Sequence, residues 1–290
     1  MKSIKNRKKI FVITLLISFL CLISIPIIYY AGRPLPFPVR TQLFNGVIYY
    51  RQFHLKPRLL IAHIITVDLT TPGLKFLVTP GDPNADLQLA AQTTSDFLQE
   101  FSAQVAVNGD GFTPWHASGF FDYYPHPGDR VNPNGTAISQ GVVYNLDETH
   151  PTFYMTVSNH VSFSPPEEES AYNAISGDGM LVENGVATTG LDDVIPAPRT
   201  AIGIDGEGSK LVIVVVDGRQ FLYSQGATMA ELAEIMIYYG AESAMNMDGG
   251  GSSTLAIESR LGVKVLNSPI DRNIPGFERA VGNHLGIIVP

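Results

Sequence analysis

The six residues Leu211 to Val216 (LVIVVV) constrain the fold of this chain more than any other stretch. A run of β-branched residues with no polar alternation is the pattern of a strand buried on both faces. It ends in Asp217-Gly218-Arg219, and after a loop comes Thr228-Met229-Ala230-Glu231, a capping box that opens a helix. Leu232, Ile235, Met236 and Tyr239 share one face of that helix, and Gly240 closes it. A second strand, Ser243 to Met247, then runs into Asp248-Gly249-Gly250-Gly251-Ser252-Ser253-Thr254. Strand, helix, strand with a right-handed crossover predicts two parallel strands in one sheet, not necessarily adjacent. Asp217 and Asp248 then fall on one rim, where open α/β sheets hold ligands.

Apolar runs bounded by turn residues predict further strands at Val47 to Phe53, Leu59 to Leu69, Leu74 to Val78 and Val105 to Val107. Apolar spacing over Asp86 to Phe101 predicts a helix. Thr254 to Ile257 and Val263 to Leu266 flank a turn and predict a hairpin, and Ser164 to Ser170 (SPPEEES) reads as a solvated loop. The expected fold class is mixed α/β: a single extracytoplasmic domain around a mixed β-sheet with flanking helices, preceded by one N-terminal transmembrane helix.

That helix is expected at 10–31, an uncharged apolar run of spanning length. Lys2, Lys5, Arg7, Lys8 and Lys9 before it predict a cytoplasmic tail over 1–9 and export of the chain beyond the span. A cleaved signal peptide is the alternative, but the run exceeds a usual h-region and lacks an A-x-A site. Residues 32–43, rich in proline, are expected to be a stiff spacer and 44–290 the domain. Five of the 19 basic residues and none of the 27 acidic ones lie in the N-terminal segment, so the exported part moves from the whole chain's −8 to −13. Such a surface excludes a nucleic-acid partner. The single cysteine, Cys21, lies in the apolar run, so neither disulfides nor thiolate chemistry serve the domain.

Four blocks in fixed order carry a resemblance: Pro198-Arg199-Thr200-Ala201-Ile202-Gly203, Val216-Asp217-Gly218-Arg219, Gly226-Ala227-Thr228-Met229-Ala230-Glu231-Leu232-Ala233, and Asn246-Met247-Asp248-Gly249-Gly250-Gly251-Ser252-Ser253-Thr254. With Asn108-Gly109-Asp110-Gly111-Phe112 upstream and Arg279-Ala280-Val281-Gly282-Asn283 downstream, the chain resembles the phosphodiester glycosidase family from about Asn108 to its end. The resemblance implies a hydrolase that cleaves the glycosidic bond between a sugar and a phosphate. Its expected partner is a phosphorylated glycan or glycolipid of the cell surface or an exopolysaccharide.

That chemistry suits the residue types. A phosphate monoester, with a second pKa of roughly 6, leaves far more readily than a sugar alcohol, so a strong general acid is less necessary. Required instead are donors for the departing phosphate and a carboxylate for the oxocarbenium-like centre or for water. Arg199 is the first choice of phosphate fork, with Arg219 and Arg279 as rivals. Asp248 is the leading carboxylate and Asp217 its expected partner; Asp-Gly is also the commonest turn dipeptide. Gly249, Gly250 and Gly251 admit close approach of a ligand and present amides for an anion nest, with Ser252 and Ser253 adding hydroxyls. Asn246 completes the binding set. Asn108 and Asp110, at a strand end, are candidates for sugar hydroxyls, and Asp110-Gly111 departs from the family's small residue and phenylalanine. Trp115, Phe121, Tyr123 and Tyr124 form an aromatic loop suited to stacking on sugars or to covering the core. His116 and His126 are ten apart on that loop, not a tight ligand spacing, so no metal and no cofactor are expected; nothing indicates a divalent cation near the carboxylates. The alternative class is a polysaccharide-binding protein without turnover, and transfer to an acceptor other than water is a third.

Overall fold

The computed structural model describes residues 2–31, 33–119 and 121–290, and within the N-terminal helix the side chains of 7, 9 and 11–24. Two compact units result, Met1–Pro34 and Leu35–Pro290. In the first, Lys2–Ala31 is one α-helix. Among the described residues no helix is long and apolar enough to cross a membrane. The expected span over 10–31 lies partly outside those residues.

The second unit is mostly β. Its eight-stranded sheet runs, from edge to edge, Val39–Phe44, Val47–His54, Leu60–Asp68, Lys210–Asp217, Arg199–Ile204, Ser243–Asn246, Gly179–Glu183 and Val186–Ala187. A five-stranded sheet is ordered Gly262–Val265, Leu255–Ser259, Val105–Asn108, His284–Ile288 and Lys75–Val78. A second five-stranded sheet and two small ones complete the unit.

The β-branched run explains how these layers stack. Leu211, Ile213 and Val215 are buried with Val105, Val107, Leu255 and Leu285 of the five-stranded sheet. Val212, Val214 and Val216 are buried with Leu232, Ala233 and Met236 of the helix Met229–Tyr238. Alternate residues thus face opposite apolar layers, which is why the run needs no polar face. The helix begins on the expected capping box, Thr228 and Glu231 each satisfying the other's backbone amide. Its Leu232, Ala233 and Met236 form the buried stripe, and Gly240 leaves it at φ +86°.

Three expectations change. The ladders among the described residues are antiparallel, not mixed. The strands Lys210–Asp217 and Ser243–Asn246 do run parallel to each other, but Arg199–Ile204 lies between them, antiparallel to both. The helix expected over Asp86 to Phe101 is only Thr94–Glu100, capped by Thr93, because Leu89–Ala90 pairs as a strand with Arg130–Pro133. Finally, Val39–Phe44 is not spacer: it pairs with Val47–His54 through Asn45-Gly46, so the sheet starts five residues before the expected boundary at Phe44.

Candidate active site

The strand order places the motif residues. Val216 pairs with Arg199, and Asn246 pairs with Ala201, so Asp217, Arg199 and the loop after Asn246 gather at one end of the sheet. Asn246 also pairs with Gly179, which brings Asp178 to the same end. Asn108 arrives from the facing sheet and joins the layers. Its Oδ1 accepts from Thr200 Oγ1 at 2.8 Å and from the Thr254 amide at 3.2 Å, while its Nδ2 donates to the Asp248 carbonyl at 2.8 Å. Fully buried and fully bonded, Asn108 is a clamp and not the sugar-hydroxyl ligand expected of it.

Two of the three glycines after Asp248 face an arginine. A methyl group on Gly249 would stand 2.9 Å from the Pro198 carbonyl oxygen, on Gly250 3.1 Å from Arg219 Nη1, and on Gly251 2.5 Å from Arg279 Nη2. Side chains at Gly250 and Gly251 would press on the guanidinium groups of Arg219 and Arg279, so these two glycines let a pair of cations lie close to the backbone. Of the amides expected to form an anion nest, that of Gly250 donates to the Pro198 carbonyl, while those of Ser252 and Ser253 after it donate to the carbonyls of Gly249 and Gly250.

The arginines are held differently. Arg199 donates from Nε to the Ala227 carbonyl at 3.2 Å and from Nη2 to the Ile195 carbonyl at 3.1 Å; burial, partly offset by Asp192, lowers its pKa, and neighbouring Arg219 adds to that. Arg279 donates to Asp271 at 2.8 Å and to Ser252 Oγ at 3.2 Å, with its guanidinium 5.3 Å over the Trp115 ring. Arg219 is exposed, at φ +56°, in the tight turn after Gly218.

Asp248 is half-buried beside them. Burial pushes its carboxyl up to about 6 against the opposing pull of the Ser252 hydroxyl, Arg279 and the Gly249 amide. Asp178 also raises it, so the two carboxyls share one field. Asp178, though exposed, is held above the usual range by partial desolvation against the pull of His150, Asn246 and Arg199, and Asn246 Nδ2 donates to it at 3.1 Å. Ser253 Oγ is buried with no hydrogen-bond partner among the described residues.

Asp217 departs from its expected role. It is buried, with Oδ2 2.9 Å from His63 Nε2 and Oδ1 accepting from the Ser268 amide at 2.7 Å. His63 Nδ1 in turn lies 2.8 Å from the Tyr49 hydroxyl. With both oxygens consumed inside the protein, Asp217 braces the start of the Arg219 turn and cannot serve as Asp248's partner. Asp178 is the carboxylate whose charge Asp248 feels, and sequence reasoning missed it. Its signal was Gly177-Asp178-Gly179 after an apolar run, and a methyl on Gly177 would meet the Asn246 carbonyl at 2.3 Å.

Asp110 is buried, accepting from the Gly135 amide at 3.3 Å with the Asn283 amide beside it. Burial pushes it up to about 7. Its native carboxyl is therefore protonated over a range, from about 4 to 7, where the unfolded chain's is ionised, and the native state binds the extra proton there. Stability is expected to be greatest below pH ~4 in this contribution and to fall by a few kcal/mol as pH rises to about 7. Chemical denaturation of wild type and Asp110→Asn across that range checks it: the variant's slope with pH is expected to be shallower. Among the described residues no group of three or more His, Cys, Asp or Glu is arranged to hold a metal ion.

Two apposed antiparallel sheets thus bring carboxylates and arginines together at one end. The chain belongs to the phosphodiester glycosidase family, whose model matches residues 101–288. It is 26% identical over 203 residues to the N-acetylglucosamine-1-phosphodiester alpha-N-acetylglucosaminidase of Bos taurus, covering 64% of this chain and 37% of that protein. It is 40% identical over 103 residues to the SPbeta prophage-derived uncharacterized protein YomE of Bacillus subtilis (strain 168), covering 36% of this chain and 14% of that one. The chain thus spans well under half the length of both relatives. The zebrafish N-acetylglucosamine-1-phosphodiester alpha-N-acetylglucosaminidase catalytic domain, auto-inhibited by its pro-peptide, shares the fold with a TM-score of 0.55 at 19% identity, over 90% of this chain and 92% of that one. A hypothetical protein from Synechocystis shares it with a TM-score of 0.56 at 14% identity, over 88% and 64% of the two chains.

Proposed function

We propose that this protein hydrolyses the bond between a sugar's anomeric carbon and a phosphate in a sugar-1-phosphodiester. The observation that carries the reading is the approach of Arg219 and Arg279 to Gly250 and Gly251, beside Asp248, whose carboxyl Arg279 pulls down, with Arg199 next to Arg219. The phosphate oxygens lie against the arginines, and as the C1–O bond breaks the electron pair leaves with the phosphate monoester, whose charge they stabilise. Asp248, ionised at neutral pH, faces the positive charge developing on the sugar. Asp178, steered by Asn246, takes the proton of the attacking water. The relatives whose names specify N-acetylglucosamine support that sugar class as the first to test. The basic cluster followed by the uncharged run 10–31 supports a membrane-anchored protein with its C-terminal domain outside the cytoplasm, acting on cell-surface or exopolysaccharide material.

Among the arginines, Arg219 is the one that reaches the ligand with fewest ties to the protein. Arg219→Ala is expected to lower kcat/KM by about 10²-fold, the order of one lost transition-state donor, with an unchanged unfolding midpoint. Arg219→Lys restores only part of it, because an ammonium lacks the bidentate fork. The decisive assay is sugar release from a panel of sugar-1-phosphodiesters by the full chain. Release establishes the hydrolase; glycan binding without release from any member establishes the non-catalytic alternative, and sugar appearing on an added acceptor establishes transfer.

A further inference from the structure

One carboxamide beside the carboxylates has no partner inside the protein. Asn134 is tied by its backbone, its amide donating to the Gly111 carbonyl at 2.9 Å, while its half-buried side chain makes no hydrogen bond among the described residues. Gly111 fixes where that side chain lies. A methyl group built on Gly111 would meet Asn134 Nδ2 at 2.5 Å and would stand 3.8 Å from Asp178 Oδ1, so the Asn134 carboxamide rests on bare backbone with the Asp178 carboxylate close by. The φ of Gly111 is not in the positive region, so the backbone itself does not require glycine there. What the missing side chain provides is room.

A second open group stands at the same carboxylate. Asn246 gives its Nδ2 to Asp178, and its Oδ1 is buried with no hydrogen-bond partner among the described residues. A buried acceptor without a donor is costly, and one kept beside a carboxylate calls for a donor from outside the protein. A carboxamide that both donates and accepts, an open carbonyl oxygen and a carboxylate are together the set that suits sugar hydroxyls, each of which donates one hydrogen bond and accepts others. Resting on the phosphodiester glycosidase reading above, we infer that Asn134 is a sugar-binding residue, its carboxamide holding one or two ring hydroxyls, and that the bare backbone of Gly111 keeps that carboxamide in place. Arg199 acts on the charge of Asp178, so a sugar whose phosphate lies against the arginines extends across Asp178 to Asn134. Asn134 then ranks substrates by their hydroxyls, and the arginines hold the phosphate that all of them share.

The test uses the full chain and the diester of the panel above from which wild type releases sugar fastest, beside analogues that each lack one ring hydroxyl. Wild type is expected to lose about tenfold in kcat/KM on one or two of these analogues, the order of one hydrogen bond between neutral groups. Asn134→Ala removes no side-chain hydrogen bond of the folded protein, so its unfolding midpoint is expected to match wild type. It is expected to lose the same factor of about ten on the parent diester and nothing further on those analogues. Gly111→Ala keeps the carboxamide but displaces it, and is expected to give the same pattern. Losses that simply multiply, variant and missing hydroxyl each costing their full factor, or a parent rate that Asn134→Ala leaves unmoved, overturn the assignment of Asn134 while leaving the hydrolase standing. Release from no diester by wild type overturns both.

Discussion

Asp248→Asn is expected to lower sugar release by about 10³-fold, the order of one lost electrostatic stabiliser of the transition state, and to leave the fold intact. The two halves of that expectation come from the same geometry. Half-burial pushes the carboxyl up to about 6, so the folded chain holds the ionised form at a cost that the Ser252 hydroxyl and Arg279 only partly offset. An amide of nearly the same shape removes that cost, and the unfolding midpoint should hold or rise at neutral pH. What the amide cannot do is present negative charge to an oxocarbenium-like centre. The pH profile separates this role from acid catalysis. With Asp248 acting ionised, wild-type kcat/KM rises with pH through about 6 and then levels. A rate that instead falls through that pH assigns Asp248 to proton donation, and a variant keeping more than roughly a tenth of the wild-type rate removes it from the chemistry.

The sheet end that holds this site was legible in the sequence because its cause is local. Six consecutive β-branched or leucine residues, a capping box and a terminal glycine specify strand, helix and strand without reference to the rest of the chain. The direction of the two strands followed, and so did the shared rim. The partner that separates them, Arg199–Ile204, and the antiparallel character of the whole sheet did not follow, because strand neighbours are chosen by packing between distant segments. One local signal went unused: Asn45-Gly46, the strongest hairpin dipeptide, lies between two alternating runs and starts the sheet at Val39.

Site roles divide along the same line. The triglycine announced close approach, and the groups that approach Gly250 and Gly251 are arginines from two distant segments, while the Gly250 amide is taken by the Pro198 carbonyl. Asp217 and Asp178 both stand in Asp-Gly dipeptides next to strands, so local pattern gave no ground for ranking them. Only tertiary structure distinguishes them: one is enclosed by His63 and the Ser268 amide, the other faces solvent beside Asn246.

Asn108→Ala is expected to be the most destabilising single change at this end of the molecule, by roughly 3 to 5 kcal/mol, from the usual cost of leaving buried polar groups unpaired. Three partners lose their bond at once: the Thr200 hydroxyl, the Thr254 amide and the Asp248 carbonyl, from segments 92, 146 and 140 residues away. The costs do not add fully, since a relaxed site admits water. Even so the loss approaches half the stability of an ordinary domain, about 5–15 kcal/mol. Asn108→Asp sharpens the test. Its carboxylate still accepts from Thr200 and Thr254 but sets a second oxygen against the Asp248 carbonyl, so it should be as damaging at neutral pH and partly recover as acid restores a donor. Urea midpoints at two pH values decide it. A clamp lowers the midpoint in both variants, with recovery on acidification only for the aspartate. A residue that merely touched a sugar hydroxyl would leave both midpoints near wild type and raise KM instead, so the same two proteins distinguish a joint between sheets from a contact with substrate.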